Sequence, residues 1–254
     1  MKLSVCIEAL FREMPLEEKL HKVKEAGFGA FEFWSWDNKD IEQLARTAEA
    51  LELTVSAFCV KQTSLTDAAA RPAYLEGLKE TLEVARRLHC RTLIVTVGAE
   101  LAGVPREVQR QSVLEGLRAS VPLLEGTGVT LVVEPLNVAV DHPGYFLSSS
   151  EEAQLLLQDV GHPQVRMLFD IYHQQVTEGH VTANMVRMLD TIGHVHAAGN
   201  PGRRELDEGE LHYPYILRRL HEAGYGGYVG LEYFPVGEPM DGLRRVAQQY
   251  AHWL

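Results

Sequence analysis

No run of lysines and arginines occurs in the 254 residues, and the formal net charge is -11. A nucleic acid is therefore not the expected partner, because binding a polyanion draws on clustered cations. No apolar run approaches the roughly 20 residues that span a bilayer, so no membrane segment is expected. Met1 to Leu10 lacks the basic-then-apolar order of a signal peptide. Cysteine is scarce: Cys6, Cys59 and Cys90 are an odd number without CxxC spacing, each in or beside an apolar run. They read as buried thiols of a reducing compartment, which makes the expected location cytoplasmic. Glycine is missing from CIEALFREM, where an open doubly wound sheet usually turns around a phosphate. A Pro/Gly/Ser-rich linker is missing too. Residues 1–254 are thus expected to form one domain, close to the length of a (β/α)₈ barrel. The negative charge fits an ordinary acidic surface, or in part a carboxylate cluster awaiting a metal.

What is present is a repeated strand–helix unit. Short apolar runs at Leu3–Ile7, Ala30–Phe33, Thr54–Phe58, Thr92–Val97, Leu131–Val133, Arg166–Phe169, Val195–Ala197 and Val229–Leu231 read as strands. Amphipathic stretches at Leu16–Ala26, Ile41–Leu51, Ala73–Leu88, Arg106–Leu124, from Glu151 onward, and at Met240–Trp253 read as helices. In Ala73–Leu88 the residues Leu75, Leu78, Leu82 and Ala85 fall at helical spacing. Ser148 to Ser150 can cap the helix that follows. The stretch DIYHQQVTEGHVT is polar and is expected to hold a long loop. Eight such units with doubly buried strands predict a closed parallel (β/α)₈ TIM barrel.

Four polar residues stand where four consecutive strands stop: Glu134, Asp170, His196 and Glu232. Any one of them alone reads as a loop residue or a satisfied core histidine. Together they lie on successive strands at the end where a barrel carries its chemistry. Three carboxylates and one imidazole suit one divalent metal ion, with Mg²⁺, Mn²⁺ and Co²⁺ all acceptable. His194 points the same way as His196 but lies deeper, as a buried hydrogen-bonded neighbour.

The segments VVEPLN, MLFDIYH, HVHAAGNPGR and VGLEYF resemble those of the xylose-isomerase-like TIM barrels. The resemblance runs the length of the chain. The stretch AGNPGRRELDEGELHY is most similar to the hydroxypyruvate isomerase branch. It implies that Glu134, Asp170, His196 and Glu232 hold one divalent metal, and that Glu134 and Glu232 are the proton-transfer bases. It implies that His173 contacts substrate oxygens, as in the epimerase branch; spacing alone also fits a solvent-facing loop histidine. Through the PGR segment it implies that Arg203 meets a substrate carboxylate. Arg204 and Lys61 are the other candidates, and both arginines can be read as surface charges. Ketose 3-epimerases carry a second glutamate about where Val140 stands here. Some hydroxypyruvate isomerases have glutamine in place of His196.

Moving a carbonyl by one carbon means removing a weakly acidic proton beside it. A metal spreads the resulting charge while one carboxylate takes the proton and another returns it. The expected activity is isomerisation of a small hydroxy-oxo acid through a cis-enediolate, hydroxypyruvate to tartronate semialdehyde first. The alternatives are a ketose 3-epimerase or other sugar isomerase, an endonuclease of the same superfamily, or a non-catalytic metal-binding or assembly protein. Trp34 and Trp36 can wall the pocket, pack in the core or make a subunit contact. Asn137 and His142 support the site or shape its loop. Glu8 and Glu32 read as supporting or structural. The oligomeric state is left open, a homo-oligomer included.

Overall fold

The computed structural model describes residues 1–61 and 63–254. Eight strands form a closed parallel barrel in chain order, with β8 pairing back onto β1. They are β1 (Lys2–Cys6), β2 (Ala30–Phe33), β3 (Thr54–Cys59), β4 (Thr92–Val95), β5 (Thr130–Val133), β6 (Val165–Asp170), β7 (Ile192–Ala197) and β8 (Tyr228–Leu231). The helices are α1 (Ile7–Leu10), α2 (Leu16–Glu25), α3 (Ile41–Ala50), α4 (Arg71–Arg87), α5 (Arg106–Leu124), α6 (Ser150–Val160), α7 (Ile171–Thr177), α8 (Val181–Arg187), α9 (Tyr213–Glu222) and α10 (Pro239–Gln249). The single (β/α)₈ domain expected from the sequence is what forms. None of these helices is long and apolar enough to cross a membrane.

Strands form where both faces find a covered surface. Leu131, Val132 and Val133 of β5 are all buried, alternately toward the helices and into the barrel. The apolar faces of the helices close the outer layer. In α4 the buried face is Tyr74, Gly77, Leu78, Thr81 and Ala85. It is thus turned away from Leu75 and Leu82, which are only half-buried. Polar atoms can lie on that face because they are paired: Tyr74 OH with Ser120 Oγ at 2.9 Å, and Thr81 Oγ1 donating to Gly77 O at 2.6 Å. Ser149 caps α6 by accepting from Glu152 N at 3.1 Å.

Three local expectations are corrected. The first strand stops at Cys6, and the fourth at Val95 rather than Val97. The polar segment after β6 is no long loop. Asp170 accepts from His173 N at 3.0 Å and starts α7 at once. Gln174 then buries its amide by donating to Pro135 O at 3.0 Å and accepting from Ser150 N at 3.0 Å. At Asp170 and Gln174 polarity reflects paired buried groups, whereas Glu178 and His180 further on are exposed.

The barrel interior is divided. Ala57, Ile94, Val132 and Leu168 form a small apolar cluster on one side. On the other side lie Ser4, Glu32, Ser56, His194 and His196, all buried. Room for the Glu32 carboxylate comes from Gly230 on β8, two strands away, where an added Cβ would overlap it. Gly230→Ala should therefore destabilise the fold by about 1–3 kcal/mol, the usual cost of overpacking. Chemical denaturation checks this; an unchanged midpoint would mean that Glu32 moves aside freely.

Candidate active site

The four strand-end residues converge. Asp170 is the last residue of β6 and His196 the penultimate residue of β7. Glu134 and Glu232 each stand one residue past their strands. Their backbone nitrogens continue the ladder, donating at 3.1 Å to Val95 O and to Ala197 O respectively. One ligand atom from each of the four lies within 4.8 Å of all the others. His196 Nδ1 is 3.3 Å from Glu232 Oε2, 3.5 Å from Glu134 Oε1 and 3.9 Å from Asp170 Oδ2. All four residues are buried.

Two of these atoms, Glu134 Oε1 and His196 Nδ1, are buried without a hydrogen-bond partner. A buried donor or acceptor left in that state costs about 1–3 kcal/mol, and more if charged. Three acidic oxygens crowding one imidazole nitrogen fit a divalent cation at their centre. These residues could hold one.

The surroundings set the charge states. Burial would raise the Glu232 carboxyl, but Arg203 and His196 together hold it well below the usual range. Burial raises Asp170, and Arg203 only partly offsets this. His196 is held above its ordinary value: burial opposes its charge, but Glu232 and Glu32 prevail. A cation seated among these groups would displace that proton, because a metal takes imidazole in its neutral form.

Below the cluster, Glu32 supports two rings. Its Oε2 is 2.9 Å from His194 Nε2, and its Oε1 is 3.0 Å from His196 Nε2. Burial pushes the Glu32 carboxyl up, yet the two histidines bring it down to about 2. His194 is thus the buried neighbour that its position predicted. With Nε2 of His196 turned to Glu32, Nδ1 faces the carboxylates.

Arg203 reaches the cluster from the loop after β7. Its Nη2 is paired with Glu232 Oε2 and lies 4.0 Å from Asp170 Oδ2. Its guanidinium is 5.3 Å from the Phe234 ring centroid and 5.7 Å from that of Tyr172. Its backbone takes the left-handed region, and its carbonyl accepts from Phe234 N at 2.8 Å. The loop is thereby tied to the end of β8. Arg204 is exposed and donates instead to Phe234 O. Lys61 stands at the rim, where its Nζ is paired with Glu80 Oε2 at 2.7 Å.

A cavity of about 640 Å³ opens above the cluster. Trp34, Trp36, Cys59, Leu136, His142 and Phe234 contribute to its wall. Trp34 does more than wall it. Its Nε1 donates to Glu232 Oε1 at 2.6 Å, a contact that nothing in the sequence signalled. Trp36 Nε1 is bound to Thr81 Oγ1 at 3.1 Å. Glu8 holds the loop after β2, accepting from Ser35 N at 3.1 Å and Lys39 Nζ at 2.6 Å. His173 is not solvent-facing; it is fully buried beside Asp170, and burial together with Arg203 lowers it to about 3. Val140 is 63% exposed, so its position adds no side chain to the cluster. A groove of similar volume, about 670 Å³, lies along α8 and α9, but among the described residues it has no such cluster of ligands.

The xylose isomerase-like TIM barrel family model matches residues 20–253. The chain belongs to that family. It is 30% identical over 252 residues to the hydroxypyruvate isomerase of Escherichia coli (strain K12), covering 96% of this chain and 97% of that one. It is 31% identical over 246 residues to the 2-oxo-tetronate isomerase of Cupriavidus necator, covering 93% and 94%. A solved Brucella melitensis structure described as AP endonuclease, family 2, superposes with a TM-score of 0.94 at 32% identity, covering 98% and 99%. Fold and relatives together support an isomerase.

Proposed function

We propose that this protein is a metal-dependent isomerase of a small hydroxy-oxo acid, converting hydroxypyruvate to tartronate semialdehyde. The observation that carries the reading is the placement of Glu134 and Glu232 at one buried cluster, with Arg203 beside it. Glu134, Asp170, His196 and Glu232 would hold one divalent ion, Mg²⁺, Mn²⁺ or Co²⁺. When bound, that ion supplies Lewis-acid stabilisation of the negative charge that develops as the carbon proton leaves.

The residues divide the remaining work. Glu134 has an oxygen with no hydrogen-bond partner, so it is the freer base and takes the proton from the substrate carbon. Glu232 is held at both oxygens, by Trp34 and Arg203, and is ionised at rest. It takes the proton of the substrate hydroxyl and delivers it to the neighbouring carbon, while the proton on Glu134 passes to the former carbonyl oxygen. Proton removal and return through an enediolate move the carbonyl by one position. Trp34, Trp36 and Phe234 keep bulk water from the intermediate. Arg203 receives the substrate carboxylate, for which its buried, unpartnered Nε is suited. Val140 in place of a second glutamate counts against the 3-epimerase alternative. The net charge of -11 counts against a DNA-cleaving one.

A second reading keeps the chemistry and lengthens the substrate. The Cupriavidus necator relative favours a four-carbon 2-oxo acid. Incubating metal-loaded protein in D₂O with hydroxypyruvate, four-carbon oxo acids and common ketoses tests both. NMR should show deuterium entering the carbon next to the carbonyl of an oxo acid. Deuterium entering only the ketoses would overturn the acid-isomerase reading.

Arg203→Ala should raise KM steeply for the oxo acid. Loss of a partner for a buried charge costs about 2–5 kcal/mol. Lysine should rescue only in part, because it lacks the planar fork. Because Arg203 also pairs with Glu232, neutral ketoses provide the control. If the wild type prefers neutral sugars, and Arg203→Ala leaves that rate unchanged, carboxylate recognition is excluded.

A further inference from the structure

The two ring nitrogens of buried His173 have different surroundings. Nδ1 lies 2.6 Å from Asn137 Nδ2 and 3.4 Å from Asn137 N. Nε2 has no hydrogen-bond partner and lies 3.7 Å from Asp170 Oδ2 at the edge of the cluster. Which nitrogen carries the proton follows from the orientation of the Asn137 amide.

Three neighbours settle that orientation. Val140 N and Asp141 N both donate to Asn137 Oδ1, at 3.0 and 3.1 Å. On the other side, Asn137 Nδ2 donates to Asp141 Oδ2 at 2.7 Å, and Tyr172 OH donates to the same oxygen at 2.8 Å. Turning the amide over would set an NH₂ against two N–H groups and a carbonyl oxygen against a carboxylate. One Nδ2 hydrogen therefore serves Asp141, and the other points at His173 Nδ1. That nitrogen must accept, so the proton of the neutral ring sits on Nε2.

We propose that Asn137 is a positioning residue that fixes His173 as the Nε2–H tautomer, aiming one neutral donor at an acceptor oxygen of the substrate. The substrate part rests on the isomerase reading above. A donor at that place complements an oxygen on which charge grows as the carbon proton leaves. Being neutral, it adds no cation beside Arg203. The opposite tautomer would present a lone pair there and repel the same oxygen.

The test is the proton position itself. Protein labelled with ¹⁵N-histidine and loaded with Mg²⁺ is examined by two-bond ¹H–¹⁵N NMR, with the His173 signals identified by their loss in His173→Gln. The wild type should show a protonated Nε2 and an unprotonated Nδ1. In Asn137→Asp the new carboxylate can only accept from the ring, so the proton should move to Nδ1. Metal content should stay the same while kcat/KM for hydroxypyruvate falls roughly 10–100-fold, the usual cost of losing a group that orients a site residue. A wild-type proton on Nδ1 overturns the proposal, and so does an Asn137→Asp variant that keeps the wild-type pattern. Should that variant not fold, the wild-type spectrum alone decides. In protein that turns over hydroxypyruvate, an Nε2–H signal unmoved by saturating substrate overturns the contact. Absence of turnover in the wild type counts against the isomerase reading, while the spectra still decide the role of Asn137.

Discussion

Chelation with EDTA is expected to remove one divalent ion per chain and to abolish turnover. The expectation rests on three carboxylates and an imidazole whose ligand atoms lie within 4.8 Å of one another, two of those atoms otherwise unpartnered. Lewis-acid stabilisation supplies several kcal/mol to such a transition state. At 1.36 kcal/mol per tenfold, its loss is about 10³-fold or more in rate. Stability should fall as well, because the ion binds only the folded chain. Saturation at 100 times Kd contributes about 2.7 kcal/mol. Elemental analysis, turnover before and after chelation, and Tm with and without added Mg²⁺, Mn²⁺ or Co²⁺ check this together. Full activity in metal-free protein would sink the proposal of a metal centre.

Glu134→Gln and Glu232→Gln should each keep the fold and lose turnover by about 10²–10⁴-fold, the range of a positioned acid–base group. A carboxamide preserves the shape but cannot take a proton. Both residues are also candidate ligands, so the comparison must be made at equal metal content. Solvent deuterium separates their roles. If Glu134 takes the proton, Glu134→Gln should lose isotope exchange at the substrate carbon together with turnover. Glu232→Gln should still exchange while failing to complete the reaction. Near-normal kcat in either variant, with the metal retained, would rule out its role as a base. A reversed exchange pattern would swap the two assignments. Glu232→Gln should also weaken the hold on Arg203, since the charge that now pairs with the guanidinium is gone.

The barrel was legible because its determinants are local. Each strand is a short apolar run with two covered faces, and α2 to α6 and α10 are amphipathic stretches, so periodicity reveals these, whereas α1, α7, α8 and α9 were not read from it. The convergence of Glu134, Asp170, His196 and Glu232 was legible for a related reason. A parallel barrel points every strand the same way, so residues at corresponding strand ends become neighbours wherever they lie in the chain. The segment after β6 was misread because composition does not register a capping bond. Asp170 ends a strand and starts α7 with one side chain, and Gln174 is buried through paired amide atoms.

Partners brought together by barrel closure could not be read from the sequence. Trp34 and Glu232 are 198 residues apart, and Glu32 and His194 are 162 apart, yet each pair is in hydrogen-bond contact. No local pattern encodes such a contact. It exists because β8 closes onto β1, and because Gly230 leaves the space that Glu32 fills. Sequence spacing likewise left Arg203 and Arg204 equal. The left-handed turn at Arg203 and its carbonyl bond to Phe234 N bring one arginine in to Glu232 and leave the other exposed. Sequence by itself determined which acidic and histidine residues stand at the strand ends and on which face of the barrel they meet. Tertiary structure decided which oxygen of Glu232 each partner holds and which nitrogen of His173 faces the cluster, because those depend on packing distances that only the closed barrel defines.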